Sequence, residues 1–121
     1  MKTQFRGGHN IALKVPPHQW EGTVKFYREV LGLPELKESA PEAVFQFGPN
    51  HLWIDRVEAV SQAELWLELV TDDTGAASAH LAAAGIARCD EIEKLPEGFN
   101  GFWISSPASI VHLVDGAADG R

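Results

Sequence analysis

Ile11, Leu13 and Val15 alternate with Asn10, Ala12 and Lys14, the period of a β-strand covered by apolar neighbours on one side only. Pro16 and Pro17 end that run, because neither can donate to a sheet ladder. Trp20, Val24, Tyr27 and Leu31 then recur at i, i+4, i+7 and i+11, with Glu21, Lys25, Arg28 and Glu29 on the other side, which predicts an amphipathic helix. Gly32 supplies its stop, since a left-handed cap costs glycine no side-chain clash. Short apolar runs at Leu36, 44–47 and 52–57, separated by Pro41 and by Gly48, Pro49 and Asn50, predict three strands in a meander. The order is βαβββ.

From Leu65 the order repeats. Leu65, Leu67 and Leu69 alternate with Trp66, Glu68 and Val70, and Asp72, Asp73 or Thr74 can cap a helix over about 75–84 that Gly85 ends. Three short strands are expected at about 86–92, 102–105 and 110–114, with turns at 96–98 and 106–109. The chain therefore reads as a first module at about 8–57, a linker at about 58–62 and a second module at about 63–115. A linker that short does not separate independent domains, so one α+β domain with a shared core is expected.

Composition narrows the partners. A chain of 121 residues, 45% hydrophobic and 22% charged, is one ordinary globular domain. No stretch approaches the roughly 18 unbroken apolar residues of a membrane span, so a membrane partner is not expected. The start, residues 1–8, lacks the apolar segment of a secretory signal, and a cytoplasmic location follows as the expectation. Seventeen acidic against ten basic residues give a net charge of −7, and the Lys and Arg residues form no stripe, which argues against nucleic acid. The single cysteine, Cys89, excludes an internal disulfide and a Cys-only zinc site and reads as a small, partly buried side chain. Motifs for nucleotide binding, zincin proteolysis and serine hydrolysis are absent.

Three segments carry a family resemblance: residues 10–16 (NIALKVP), residues 26–33 (FYREVLGL), and Ser106 and Pro107 followed by residues 110–114 (IVHLV). Together they resemble the vicinal oxygen chelate superfamily, which includes glyoxalase I, extradiol dioxygenases, fosfomycin-inactivating transferases and bleomycin-binding resistance proteins. The resemblance implies an α+β fold of two βαβββ modules forming a cup-shaped mixed sheet with helices on the outside. It also implies a small-molecule ligand in the cup and a homodimer.

Strand parity converts this into candidate residues, because the face opposite the helix must line the cup. With Ile11, Leu13, Val15, Leu65, Leu67 and Leu69 under the helices, Asn10, Lys14, Trp66 and Glu68 face the ligand. On the last strand Val111 and Leu113 are expected on the helix side, leaving Ile110, His112 and Val114 on the ligand side; His51, Trp53 and Asp55 share the corresponding face of the fourth strand. The expected ligand-binding set is Asn10, Lys14, Trp53, Trp66, Glu68 and His112, polar groups among large aromatic walls. Trp53 and Trp66 suit a flat or apolar ligand, and ordinary sheet packing is the alternative for both.

The resemblance further implies a divalent metal ion held by His, Glu or Gln on the first and last strand of each module. Position by position this falls on Asn10, on Trp53 or Asp55, on Trp66 and on His112; Asn is a weak ligand and Trp has no lone pair to give. A two-residue register shift brings Glu64 or Glu68 to the third position, which makes Asp55, Glu68 and His112 the candidate metal ligands, and Glu68 and His112 the candidate catalytic groups. Other uses stand beside these: His112 as a hydrogen-bonded structural imidazole, and Glu68 as an ion-pair partner of Lys14 across the sheet. His9 falls on the helix side and is set aside, and His18, His51 and His80 show no chelating spacing. The segment 97–101 reads either as a lid with an aromatic tip or as an ordinary hairpin loop. Three functions stand: a metal-free protein binding an aromatic or apolar molecule, like the resistance proteins; a metal-dependent lyase, isomerase or oxygenase using His112 with Asp55 or Glu68; and a purely structural dimerisation module.

Overall fold

The computed structural model describes residues 5–39 and 41–116, so part of the start on which the expectation of no secretory signal rests lies outside the described residues. The architecture is α+β: β1 (Phe5–Val15), α1 (Pro17–Lys25), β2 (Glu35–Ser39), β3 (Glu42–Phe47), β4 (Asn50–Arg56), β5 (Glu64–Thr71), α2 (Thr74–Ala83), β6 (Ala87–Arg88), β7 (Gly101–Ser105) and β8 (Val111–Asp115). Both modules thus show the predicted βαβββ order. The chain forms two compact units, His9–Trp66 and Leu67–Arg121 with Met1–Gly8, so the division falls inside β5 and β1 rather than in the segment 58–62.

In the first unit the strands lie in the order β2–β3–β4–β1, with β1 parallel to β4 and the other neighbours antiparallel. Pro17 opens α1, where its missing N–H costs nothing, and Gly32, at φ +69°, stands where the helical segment stops. Val15, Trp20, Val24, Ala43, Phe45, Leu52 and Ile54 form the buried core between helix and sheet, and Ile11, Leu13, Tyr27 and Leu33 pack against it. The alternation read along 10–15 is therefore met residue for residue. Trp20 spans the layers: its indole N–H donates to the Ile54 carbonyl at 3.0 Å.

One position of the predicted helical stripe departs. After Lys25 the helix widens into a π-helical turn, Phe26–Val30, which sets the phase back relative to 3.6 residues per turn. Leu31 is rotated outward to 49% exposure, and Leu33 packs against the core instead.

In the second unit the order is β5–β8–β7–β6, with β5 parallel to β8 and the rest antiparallel. Of the three candidate caps for α2, Asp73 is the one used; its carboxylate accepts from the Ala76 N–H at 3.0 Å. Gly85, at φ +80°, follows the helix as predicted. The strand expected over 86–92 shrinks to two residues and a 3-10 turn, Asp90–Ile92. Asp90 accounts for this, because its carboxylate accepts from the Trp103 N–H at 3.0 Å, in place of a backbone partner, and from Arg88 at 2.7 Å.

The core under α2 contains Ala77, Phe102, Ile104 and Val114, with Phe5, Leu69, Leu81 and Ile86 against it. Leu69 lies there as expected, whereas Leu65 is 45% exposed. The last strand is turned over relative to the sequence reading. Val114 pairs with Phe102 and His112 with Ile104, so Val114 and His112 share the α2 side, and Val111 and Leu113 share the opposite face with Ser105 and Trp103. Both faces of β8 are largely apolar, so alternation carried no information about which side the helix would cover.

Phe45 is fully buried, and Phe45→Ala should cost about 3–5 kcal/mol in urea unfolding. Leu31→Ala should stay within about 0.5 kcal/mol, as for an exposed position. Equal losses at the two positions would contradict the outward rotation of Leu31.

Candidate functional site

On the strands of the first unit, side chains that point away from α1 form a polar and aromatic face. The parallel ladder sets Asn10 beside His51, Ala12 beside Trp53 and Lys14 beside Asp55, and across β3 Val44 stands beside Trp53. Trp53 is half-buried. Its indole N–H donates to Asn10 Oδ1 at 2.8 Å, which fixes the ring plane, and Lys37 Nζ lies 6.0 Å from the ring centre. Ala12 offers only a methyl group beside the ring.

Lys14 is 4% exposed, and its ammonium donates to Asp55 Oδ2 at 2.8 Å and lies 4.4 Å from the centre of the Trp66 ring. Taking an ammonium out of water costs several kcal/mol, and a carboxylate together with an aromatic face is what offsets that cost. Trp66, itself 5% exposed, donates its N–H to Glu64 Oε1 at 3.0 Å. Its ring is thus a wall for the lysine as much as for any ligand. Asn10, Lys14, Trp53, Asp55 and Trp66 are brought together within the first unit; His9, set aside, is exposed with Nδ1 3.3 Å from the Pro49 carbonyl.

In the second unit Glu68 is 8% exposed and folds against the backbone of Gly8, where an added Cβ would come within 2.6 Å of the Glu68 Cγ. Gly8 escaped the sequence reading, and the available signal was a glycine inside a strand pattern, which marks close approach. His112 lies half-buried on the α2 side with Nδ1 2.9 Å from the Ile110 carbonyl, an acceptor, so Nδ1–H is the donor. Glu68 pairs with Leu113 in the ladder, on the face that His112 does not share.

A hollow of about 430 Å³ opens at the start of α2, bounded by Thr74, Gly75, Ser78, Arg88, Phe99, Asn100, Gly101 and Phe102. The 97–101 segment beside it is tied down. Phe99 donates its N–H to the Pro96 carbonyl at 3.0 Å, Thr74 donates to Asn100 Oδ1 at 2.8 Å, and the Gly116 N–H reaches the Asn100 carbonyl at 2.8 Å. It is an anchored turn.

The donor set does not fit a divalent ion. Asn10 already accepts from Trp53, Asp55 is held by an ammonium, Trp66 has no lone pair to give, and the β8 face away from α2 presents Val111 and Leu113. Among the described residues no group of three or more His, Cys, Asp or Glu side chains is placed to hold a metal.

Solved structures share this fold. The chain is similar to a Mn(II)-bound glyoxalase from Novosphingobium aromaticivorans, at 21% identity and a TM-score of 0.67, over 99% of this chain and 42% of that one. It is also similar to a variant of homoprotocatechuate 2,3-dioxygenase from B. fuscum, at 15% identity and a TM-score of 0.63, over 93% of this chain and 33% of that one. A glyoxalase/bleomycin resistance protein/dioxygenase superfamily member from Vibrio splendidus matches at 12% identity and a TM-score of 0.59, over 92% and 97%. The chain spans less than half the length of the first two. No family model matches the chain, and no curated protein matches it. At these identities the likeness is one of fold. Among the described residues no helix is long and apolar enough to cross a membrane.

Two outcomes follow. Gly8→Ala should cost about 1–3 kcal/mol through the clash with Glu68, whereas Gly7→Ala, which meets open space, should be neutral or slightly stabilising; thermal unfolding of both variants checks the contrast. Burial, followed by the nearby charges of Asp90 and Glu91, pushes the Cys89 thiol above its ordinary value. Cys89 should therefore react with iodoacetamide at pH 8 more slowly than free cysteine, read by intact mass against time.

Proposed function

We propose that this chain binds a small, flat, aromatic or apolar molecule on the face opposite α1, in the manner of a glyoxalase/bleomycin-resistance-like binding protein and without a family-type metal centre. The observation that carries the reading is Trp53: a half-buried ring whose plane is fixed by Asn10, bordered by Lys37 and flanked by a methyl group at Ala12. An oriented ring of this kind offers stacking area without a further ordering cost. Lys14 and Trp66 border the same face, and Asn10 acts on the ligand through the ring it holds.

The alternative metal-dependent lyase, isomerase or oxygenase draws less support, since Asp55 is engaged by Lys14 and His112 lies on the α2 side of its strand. The homodimer implied by the family resemblance belongs to the same proposal. Light scattering should give twice the chain mass.

Ligand-observed NMR with indole and 2-naphthol as probes tests the binding site. Wild-type protein should give saturation transfer to at least one probe, and Trp53→Ala should weaken its binding about tenfold, the scale of one lost stacking contact. A chelator should leave both results unchanged. Equal affinity of Trp53→Ala and wild type would remove Trp53 from the site.

A further inference from the structure

We propose that the ammonium of Lys14 is a built-in cation that takes the carboxylate of Asp55 in place of a divalent ion, so that Asp55 has its counter-charge within the chain. The proposal holds whether or not the face takes up a ligand.

The ladder between β1 and β4 makes Lys14 and Asp55 direct partners, with both side chains on the side away from α1. Nζ and Oδ2 meet at 2.8 Å, and the two side chains are only 5% and 15% exposed. A carboxylate so placed needs a positive neighbour, because a buried charge without one is not sustained. A metal ion would supply that charge at a cost that depends on its concentration. Lysine supplies it intramolecularly, on the adjacent strand, with no dependence on any solute.

Trp66 separates the two kinds of cation. Its ring centre lies 4.4 Å from Nζ. An aromatic face attracts an ammonium through its quadrupole but offers a divalent ion no lone pair in the ring plane to coordinate. Asn10, the other oxygen donor on this face of β1, is turned to the Trp53 indole. A divalent ion approaching Asp55 would meet the Lys14 charge at close range with twice the repulsion of a unit pair, in surroundings where screening by salt is weak. The arrangement therefore gives Asp55 Oδ2 a cationic partner and disfavours the ion.

The test uses the full chain as wild type, Lys14→Ala, Lys14→Met, Asp55→Asn and the double variant Lys14→Met with Asp55→Asn. Unfolding midpoints are recorded in MnCl2, in propylammonium chloride and in NaCl at matched ionic strength. Propylammonium is the part of the side chain that Lys14→Ala removes. Wild type should move by about 1 °C or less between the three salts, because only a solute that binds the folded state raises the midpoint. Lys14→Ala should unfold at a lower temperature and recover saturably with propylammonium. A saturable rise of the wild-type midpoint in MnCl2, with manganese retained after desalting, overturns the proposal. So does a Lys14→Ala protein that responds to propylammonium no more than to NaCl.

Should Lys14→Ala fail to fold, the cycle decides. The double variant removes both charges, and it should be more stable than either Lys14→Met or Asp55→Asn alone, the signature of a coupled pair. Additive losses would show that the two groups are not each other's counter-charge.

Discussion

The register of β1 against β4 is the constraint on which the first unit depends. Once Asn10 stands beside His51 and Val15 beside Arg56, every side chain between them is committed to one of two faces. Ile11, Leu13, Leu52 and Ile54 go to the helix side, and Asn10, Lys14, Trp53 and Asp55 go to the other. A slip of β1 by one residue would turn Lys14 under α1 and Ile11, Leu13 and Val15 away from it. The ion pair and the hydrophobic core are thus two consequences of one ladder, and each disfavours the register that would destroy the other.

How much of this was legible from sequence varies with how strongly each pattern discriminates. Alternation along 10–15 is unambiguous because the two faces differ sharply, large aliphatic against amide, methyl and ammonium. The capping and stop signals were equally readable: Asp73 was one of three candidates for the α2 cap, and Gly32 and Gly85 both adopt the positive φ that a helix stop favours. Leu31 was misplaced for a different reason. The 3.6-residue period assumes a uniform helix, and a π-helical turn at Phe26–Val30 breaks that assumption without leaving a mark in the hydrophobic pattern.

The candidate site divides the same way. Asn10, Lys14, Trp53 and Asp55 share a face as read, but the pairwise contacts did not follow from parity. That the Trp53 indole selects Asn10, or that Lys14 meets Asp55 at 2.8 Å, depends on strand pairing across more than 40 residues of chain, information that one sequence does not carry. His112 was assigned to the wrong side because Val111, Leu113 and Val114 make both faces of β8 apolar, so the polar residue looked like the exception that marks the functional face. In the structure it follows Ile104 and Val114 toward α2 and turns Nδ1 to a backbone carbonyl, an ordinary way to satisfy a half-buried imidazole.

Two modules built on one pattern need not carry equal chemistry. In the first, the face away from the helix holds an amide, an indole, an ammonium and a carboxylate, joined by an indole–amide hydrogen bond and an ion pair. In the second, the corresponding face of β8 presents Val111 and Leu113, and the strand beside it contributes Glu68, folded onto the glycine at position 8. A buried carboxylate in the first module without a counter-charge would be unstable, and Lys14, two turns of the pleat along from Asn10, supplies that charge. Lys14, 2.8 Å from Asp55, therefore explains how the first module keeps a largely buried carboxylate and remains stable.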